Sequence, residues 1–342
     1  MAPRAFITGL AGLTIAPQER DFLRATDPWG LILFRRNIEN PQQVTDLVAA
    51  FRETVGRRDA PVLIDQEGGR VQRLQPPRWP AYPPGSVYAA LYSADPRRGL
   101  AAARLGARLI AADLGALGIT VDCLPLADVP VAGADAVIGD RAYGNTPAQV
   151  SEVARAVADG LLAGGVLPVL KHIPGHGRAT ADSHKALPVV SADRATLEKT
   201  DFAAFVPLAD LPLAMTAHVV FTACDPKLPA TTSPFMIDQV IRGFIGFRGA
   251  LMSDDVSMEA LSGSIGARTA AAIAAGCDLA LHCNGKFEEM KQVAENSPVL
   301  AGQALARAEA ALAARRKAEP FDLAAARAEF ARLTDGGGRA TA

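Results

Sequence analysis

AFITGLAGLTI, residues 5–15, separates three architectures. After Arg4 the run could pass for the apolar region of a signal peptide, but Thr8, Gly9, Gly12 and Thr14 interrupt it. As the first strand of a doubly wound sheet it would need a phosphate-binding GxGxxG directly behind it, and Gly9-Leu-Ala-Gly12 does not supply one. What remains is a short buried strand that ends in a glycine turn, the opening unit of an α/β barrel.

Working outward, short and nearly continuous apolar runs recur at 5–8, 31–34, 62–64, 120–124, 168–170, 213–215, 250–252 and 279–281. Each is followed by polar or glycine-rich residues. Longer stretches of helical periodicity lie between them at 41–55, 99–117, 147–163, 201–208, 234–242 and 265–275. Unbroken apolar runs fit parallel strands buried on both faces, and eight of them match a single (β/α)8 TIM barrel. Gly118, Gly164–Gly165 and Gly276 stand where helix C-caps are expected. Residues 75–95, rich in Pro, Tyr and Ala, read as an insertion after the third strand. No composition break divides the chain, so residues 1–342 are expected to form one domain. Helical material follows at 286–295 and 301–316, and the tail from about residue 330, with Gly336–Gly338, is expected to fray.

Composition narrows the function. Hydrophobic residues make up 49% and charged residues 21%, ordinary globular usage, and the formal net charge is -1. No Lys/Arg-rich run points to nucleic acid or to an acidic membrane surface, so a small, roughly neutral substrate is the expected partner. Cys123, Cys224, Cys277 and Cys283 lack CxxC spacing and read as free thiols of a reducing compartment. No run approaches the roughly 18 apolar residues of a membrane helix. The expected location is the cytoplasm.

A barrel places its chemistry just beyond the C-terminal ends of its strands. The third run ends in Asp65-Gln66-Glu67-Gly68-Gly69-Arg70 and the fifth in Lys171-His172. The sixth, seventh and eighth end in Thr216-Ala217-His218, Ser253-Asp254-Asp255 and His282-Cys283-Asn284. Any one could be a strand terminator; five together favour a site.

The densest of these places is KHIPGHGRATADSH, residues 171–184, with three of the chain's five histidines. His172 and His176 have the spacing of two metal ligands on one helix face, yet Pro174 and Gly175 break that helix and no HExxH glutamate is present. A metal held by His172, His176, Asp182 and His184 and a loop of histidines bonded to backbone both stay open. Asp182-Ser183-His184 is more specific, because a carboxylate two residues before an imidazole can fix its tautomer and stabilise the imidazolium. No GxSxG elbow offers a serine nucleophile. The nucleophile candidate is Asp254 or Asp255, of which one is expected to be catalytic and the other structural. A carboxylate nucleophile with a separate proton donor is the arrangement of retaining glycoside hydrolysis, with an oriented histidine as the donor.

In order along the chain, IDQEGGRVQRL (64–74), IGDRAYG (138–144), KHIPGHG (171–177), DSHKALP (182–188) and MSDDVSM (252–258) resemble the family 3 glycoside hydrolases, and among them the NagZ-type β-N-acetylhexosaminidases. The resemblance implies Asp254 as nucleophile, His184 as acid/base and Asp182 as its partner. It implies Asp65, Arg73, Arg141, Lys171 and His172 as binders of the terminal sugar. The implied activity is removal of terminal β-linked N-acetylglucosamine from a sugar or muropeptide substrate in peptidoglycan recycling, by a lone, monomeric barrel that needs no cofactor and no metal. Ile173 stands where the family usually has phenylalanine. Another preferred sugar, phosphate in place of water as acceptor, a metal-dependent hydrolase and a catalytically idle sugar-binding barrel are the alternatives.

Overall fold

The computed structural model describes residues 2–179, 181–183 and 186–335. Eight parallel strands close into a barrel: β1 (Arg4–Thr8), β2 (Pro28–Leu33), β3 (Val62–Ile64), β4 (Val121–Asp122), β5 (Leu167–Ile173), β6 (Leu213–Thr216), β7 (Ala250–Asp255) and β8 (Leu279–His282). Around the barrel they follow one another in chain order, and β8 pairs with β1 to close the ring. Helices cover the outside, so the architecture is the expected (β/α)8 TIM barrel.

Burial on both faces explains the unbroken apolar runs. Ile32 of β2 and Leu63 of β3 point into the barrel with Ile7, Val121, Val169, Met215 and Met252. Their chain neighbours Leu31, Leu33, Val62 and Ile64 face the helices instead. Each such side chain contributes roughly 1.5–3 kcal/mol of burial, on whichever face it lies.

All eight strands fall on the apolar runs, but several extend beyond them. β5 continues through Lys171 and His172 to Ile173, and β7 through Ser253 to Asp254 and Asp255. Polar side chains that point into the mouth of the barrel do not end a strand whose backbone still has neighbours to pair with.

Helices Pro41–Val55, Pro147–Ala163 and Ile265–Ala275 occupy the expected residues. Each has a side-chain N-cap, from Asn40, Thr146 and Ser264, and the first two also carry proline in the first turn. The helix expected at 201–208 is absent. Asp193 caps an earlier helix, Arg194–Lys199, through the Thr196 amide at 2.9 Å, and two 3₁₀ turns follow, the second containing Pro207, which has no N–H to continue a helix. The segment expected at 234–242 is helical from Pro234 and continues as a π-helix over Met236–Phe244, with Ser233 Oγ accepting the Met236 N–H at its start. Helices Pro17–Thr26 and Gly85–Ala94 were not legible as periodic runs; the second lies inside the proline-rich insertion.

Fraying from residue 330 does not describe the chain as far as Asp335. Helix Leu323–Asp335 docks on helix Pro96–Ala116, with Phe330 against Tyr82 at 6.4 Å and the Leu333 carbonyl accepting from Arg98 at 2.7 and 2.9 Å. Residues 336–342 lie outside the described residues. The four cysteines are free thiols. Among the described residues no helix is long and apolar enough to cross a membrane.

One buried carboxylate sets β7 against β8. Asp278 donates its N–H to the Leu251 carbonyl at 2.7 Å and accepts the Leu251 N–H at 2.9 Å, while Arg242 and Arg307 bind the same carboxylate. Removing it would leave two partly buried guanidiniums and an amide unpaired. Asp278→Ala is expected to cost about 3–5 kcal/mol, read as a fall in the urea midpoint with an unchanged m value.

Candidate active site

A cavity of about 300 Å³ opens at the C-terminal ends of the strands. Asp65, Arg73, Arg141, Lys171, His172, Asp182 and Asp254 all line it, together with Glu67, Arg70, His176, Ser183 and Asp255. Of the residues that the sequence singles out for a site, only His184 lies outside the described residues.

The segment after β3 is shaped by Gln66. Its side-chain oxygen accepts the N–H groups of Arg73 and Leu74, each at 3.0 Å, and its amide donates to the Leu74 carbonyl at 3.1 Å. Gln66–Gly68 pairs antiparallel with Val71–Gln72, and the turn between them needs glycine. Gly68 and Gly69 adopt φ of +96° and +55°, and a Cβ on Gly68 would lie 2.3 Å from the Pro83 carbonyl oxygen. The tight ribbon returns Arg73 beside Asp65.

Lys171 is the centre of the charge network. Its ammonium, 2% exposed, donates to Asp65 Oδ1 at 3.0 Å and lies 2.6 Å from Glu67 Oε1. Arg73 binds the other oxygen of Asp65 at 2.9 Å, and Arg141 grips Glu67 with two bonds of 2.8 Å. Burial alone would raise both carboxyls. The nearby ammonium and guanidiniums reverse that, holding Asp65 well below the usual carboxylate range and Glu67 at about 2. Burial would likewise discharge Lys171, but Glu67 and Asp65 raise its pKa above the ordinary lysine value.

A second buried carboxylate, Asp128, aligns the end of β5. Its Oδ2 lies 2.7 Å from His172 Nδ1, and its Oδ1 accepts the backbone N–H of His176 at 2.7 Å. Against its burial, the two histidines hold Asp128 down to about 2. The tautomer of His172 follows: Nδ1 carries the proton toward Asp128 and Nε2 is left for the cavity side.

At the end of β7 the two aspartates differ in their surroundings. Asp255 accepts from the Ser257 hydroxyl at 2.6 Å, the Ser257 N–H at 3.0 Å and the Cys283 N–H at 3.1 Å, so its oxygens are spent on the backbone turn. Asp254 Oδ1 accepts the Asp255 N–H at 2.8 Å, and the Asp254 N–H rests on the Thr216 hydroxyl at 3.3 Å. Below, His218 donates through Nε2 to the Asp255 carbonyl at 3.0 Å, with its Nδ1 on Thr231. The polar residues at the end of β6 are therefore a ledge under the β7 carboxylates.

The chain matches the model of the glycosyl hydrolase family 3 N-terminal domain over residues 10–315. It belongs to glycoside hydrolase family 3. A beta-hexosaminidase of Alkalilimnicola ehrlichii is 41% identical over 285 residues, which span 81% of this chain and 79% of the relative. One from Xanthomonas campestris is 36% identical over 87% of this chain and 88% of its own. Among solved structures, NagZ from Neisseria gonorrhoeae in complex with N-trifluoroacetyl-D-glucosamine superposes with a TM-score of 0.88 at 30% identity, covering 98% of this chain and 99% of that one.

Two residues of this glycoside hydrolase site escaped the sequence reading. Glu67 sits inside the quoted DQEGGR motif, and its position two residues after Asp65 was the available signal. Asp128 follows the apolar residues 123–127 as a lone acid, with no second polar residue to mark it. Among the described residues no group of three or more His, Cys, Asp or Glu side chains is arranged to hold a metal ion.

Acid should loosen this network. Glu67 and Asp128 ordinarily titrate at 4.5 and 3.8 and are held at about 2 in the fold, so the folded protein binds fewer protons than the unfolded chain. Their contribution to stability is complete above about pH 4.5 and is lost as pH falls toward 2. Urea midpoints measured across this range should fall with acidification, and Glu67→Gln should flatten that slope while lowering the midpoint at pH 7.

Proposed function

We propose that the chain is a single-barrel retaining β-N-acetylglucosaminidase, releasing terminal non-reducing β-linked N-acetylglucosamine through a covalent glycosyl-aspartate. The physiological substrate in this reading is an anhydro-muropeptide of peptidoglycan recycling, and the site of action is the cytoplasm. The observation that carries the chemistry is that Asp254, from the end of β7, and Asp182, from the loop after β5, line one cavity with the Lys171-centred cradle. The names of the relatives and the N-trifluoroacetyl-D-glucosamine of the Neisseria gonorrhoeae structure support the sugar. The NagZ-type motifs support the muropeptide.

Roles follow from the chemistry of each group. Asp65, already ionised, accepts hydrogen bonds from vicinal hydroxyls, while Lys171, Arg73 and Arg141 supply donors and His172 Nε2 an acceptor, all of which stay put because each is tied to a carboxylate. Asp254 attacks the anomeric carbon. The bond from that carbon to the leaving oxygen breaks as the imidazolium of His184 gives the oxygen its proton. In the second half, neutral His184 takes a proton from water, whose oxygen attacks the same carbon and releases Asp254. Asp182 orients His184 and favours its charged form. Asp255 takes no part in bond making, since the β7 turn occupies its oxygens.

Asp254→Ala and His184→Ala should each lower turnover of an aryl N-acetyl-β-glucosaminide by about 10²-fold or more while keeping the thermal unfolding of the parent. A 2-acetamido-2-deoxy-5-fluoroglycosyl fluoride should leave its label on the peptide that carries Asp254. Label on another residue, or native turnover by Asp254→Ala, would refute the assignment.

A further inference from the structure

His176 is the one histidine of residues 171–184 that neither the sequence nor the mechanism above gives a task. It is 3% exposed, which an imidazole does not accept without reason. Its backbone N–H goes to Asp128, a bond that any residue but proline could make. Its ring packs edge-on to His172 at 5.8 Å, and its Nε2 lies 3.1 Å from the hydroxyl of Ser183. Among the described residues its Nδ1 is buried with no hydrogen-bond partner. Burial and the neighbouring His172 lower its pKa to about 4, so the ring is neutral near pH 7.

Ser183 stands between Asp182 and His184, and it is held from two sides. Besides the contact with His176, its carbonyl accepts the Ala260 N–H at 3.2 Å, from the segment that follows β7. The root of the same loop is fastened elsewhere. Gly177 packs so closely on residue 129 that a Cβ would lie 2.2 Å from the Val129 oxygen. Arg178 binds Asp201 at 2.9 Å, and the Ala179 carbonyl accepts the Asp135 N–H at 2.8 Å. None of these anchors needs the His176 ring. What the ring adds is a polar contact farther along, at the residue flanked by both members of the Asp–His pair.

We propose that His176 is a positioning residue: through the Ser183 hydroxyl it holds the residue that stands between Asp182 and His184, so that the proton transfer assigned to His184 depends on the His176 ring. The inference rests on His184 being the proton donor. A displacement of about 1 Å is enough to cost on the order of 10²-fold in such a transfer.

The test uses the full chain and the leaving-group dependence of kcat/KM. A phenyl N-acetyl-β-glucosaminide needs protonation of its leaving oxygen, whereas the 2,4-dinitrophenyl analogue departs without it. Because kcat/KM counts steps only through glycosylation, the later role of His184 as base does not enter. His184→Ala sets the reference, with a loss confined largely to the phenyl substrate. His176→Ala and Ser183→Ala should lower kcat/KM by about 10-fold to 10²-fold for the phenyl glycoside and by less than about threefold for the dinitrophenyl one. His176→Gln, which keeps a polar atom near the Nε2 position, should recover part of the loss. Ser183→Ala deletes one oxygen, so it answers the question even if His176→Ala folds poorly. An equal loss on both substrates would mean that the ring only supports His172 and the sugar cradle, and would overturn the proposal. Unchanged kinetics in Ser183→Ala would overturn it too. If His184→Ala itself shows no leaving-group dependence, the proton-donor assignment fails, and the positioning role fails with it.

Discussion

The ammonium of Lys171, buried between Asp65 and Glu67, is the interaction around which the mouth of the barrel is arranged. A lone charge at that depth would neutralise itself by shifting its pKa. Here the two carboxylates prevent this, and each is itself held in place by a guanidinium, Asp65 by Arg73 and Glu67 by Arg141. The alternation of cations and anions ties three distant parts of the chain together: the ribbon after β3, the turn at Gly139–Arg141 and the end of β5. Such a network adds little net stability over an apolar core of equal volume, but losing one member is costly. Its value is geometric, because polar groups fixed this firmly need no reorganisation when a polar ligand arrives.

Behind that cradle lies a second tier. Asp128 holds both the ring and the backbone of His172 and the backbone of His176, while Thr216, Thr231 and His218 form the ledge under Asp254 and Asp255. Asp122 belongs to the same tier: it accepts the Gln66 N–H at 2.9 Å, and burial pushes its carboxyl well above the usual carboxylate range. The cavity is thus lined by groups whose second hydrogen bonds are already committed to the barrel. The (β/α)8 frame positions Lys171, His172 and Asp254 by strand register, while the ribbon after β3 and the turn at Gly139–Arg141 bring in Glu67, Arg73 and Arg141.

Much of this was legible in the sequence because period and position carry it. A run such as Val62-Leu-Ile64 is apolar at every residue only if both of its faces are buried, and Asp65 directly after it then has to lie at the barrel mouth. The motif resemblance assigned Lys171 and Arg141 to the site, and the structure places both at the cavity. Less visible were the partners that belong to no run. Asp128 is one acid between apolar residues, and its meaning is a contact across 44 residues of chain. The helix at Arg194–Lys199 depends on a single N-cap at Asp193, and the ordered tail depends on Phe330 finding Tyr82, 248 residues away. Long-range contacts of this kind have no periodic signature.

The charge network also bears on why an imidazole suits the proposed proton donor better than a carboxylic acid. A carboxyl donor must stay protonated near neutral pH, which requires an apolar pocket or a neighbouring negative charge. In this cavity the cations depress the carboxyls they bind, Asp65 and Glu67, so an acid paired directly with Lys171, Arg73 or Arg141 would give up its proton before meeting substrate. An imidazole titrates near neutrality without such help and needs only one carboxylate to support its charged form, the part proposed for Asp182. That arrangement moves the difficulty from acidity to placement. The residues just before the proposed donor, Asp182 and Ser183, belong to a loop rather than to a strand end, and Ser183 is held there by His176 and Ala260. In the proposed reading the work is therefore divided: the Lys171-centred cradle, whose ion pairs keep Asp65 and Glu67 ionised, meets the sugar, and a separately anchored segment at Ser183 leads to the proton donor.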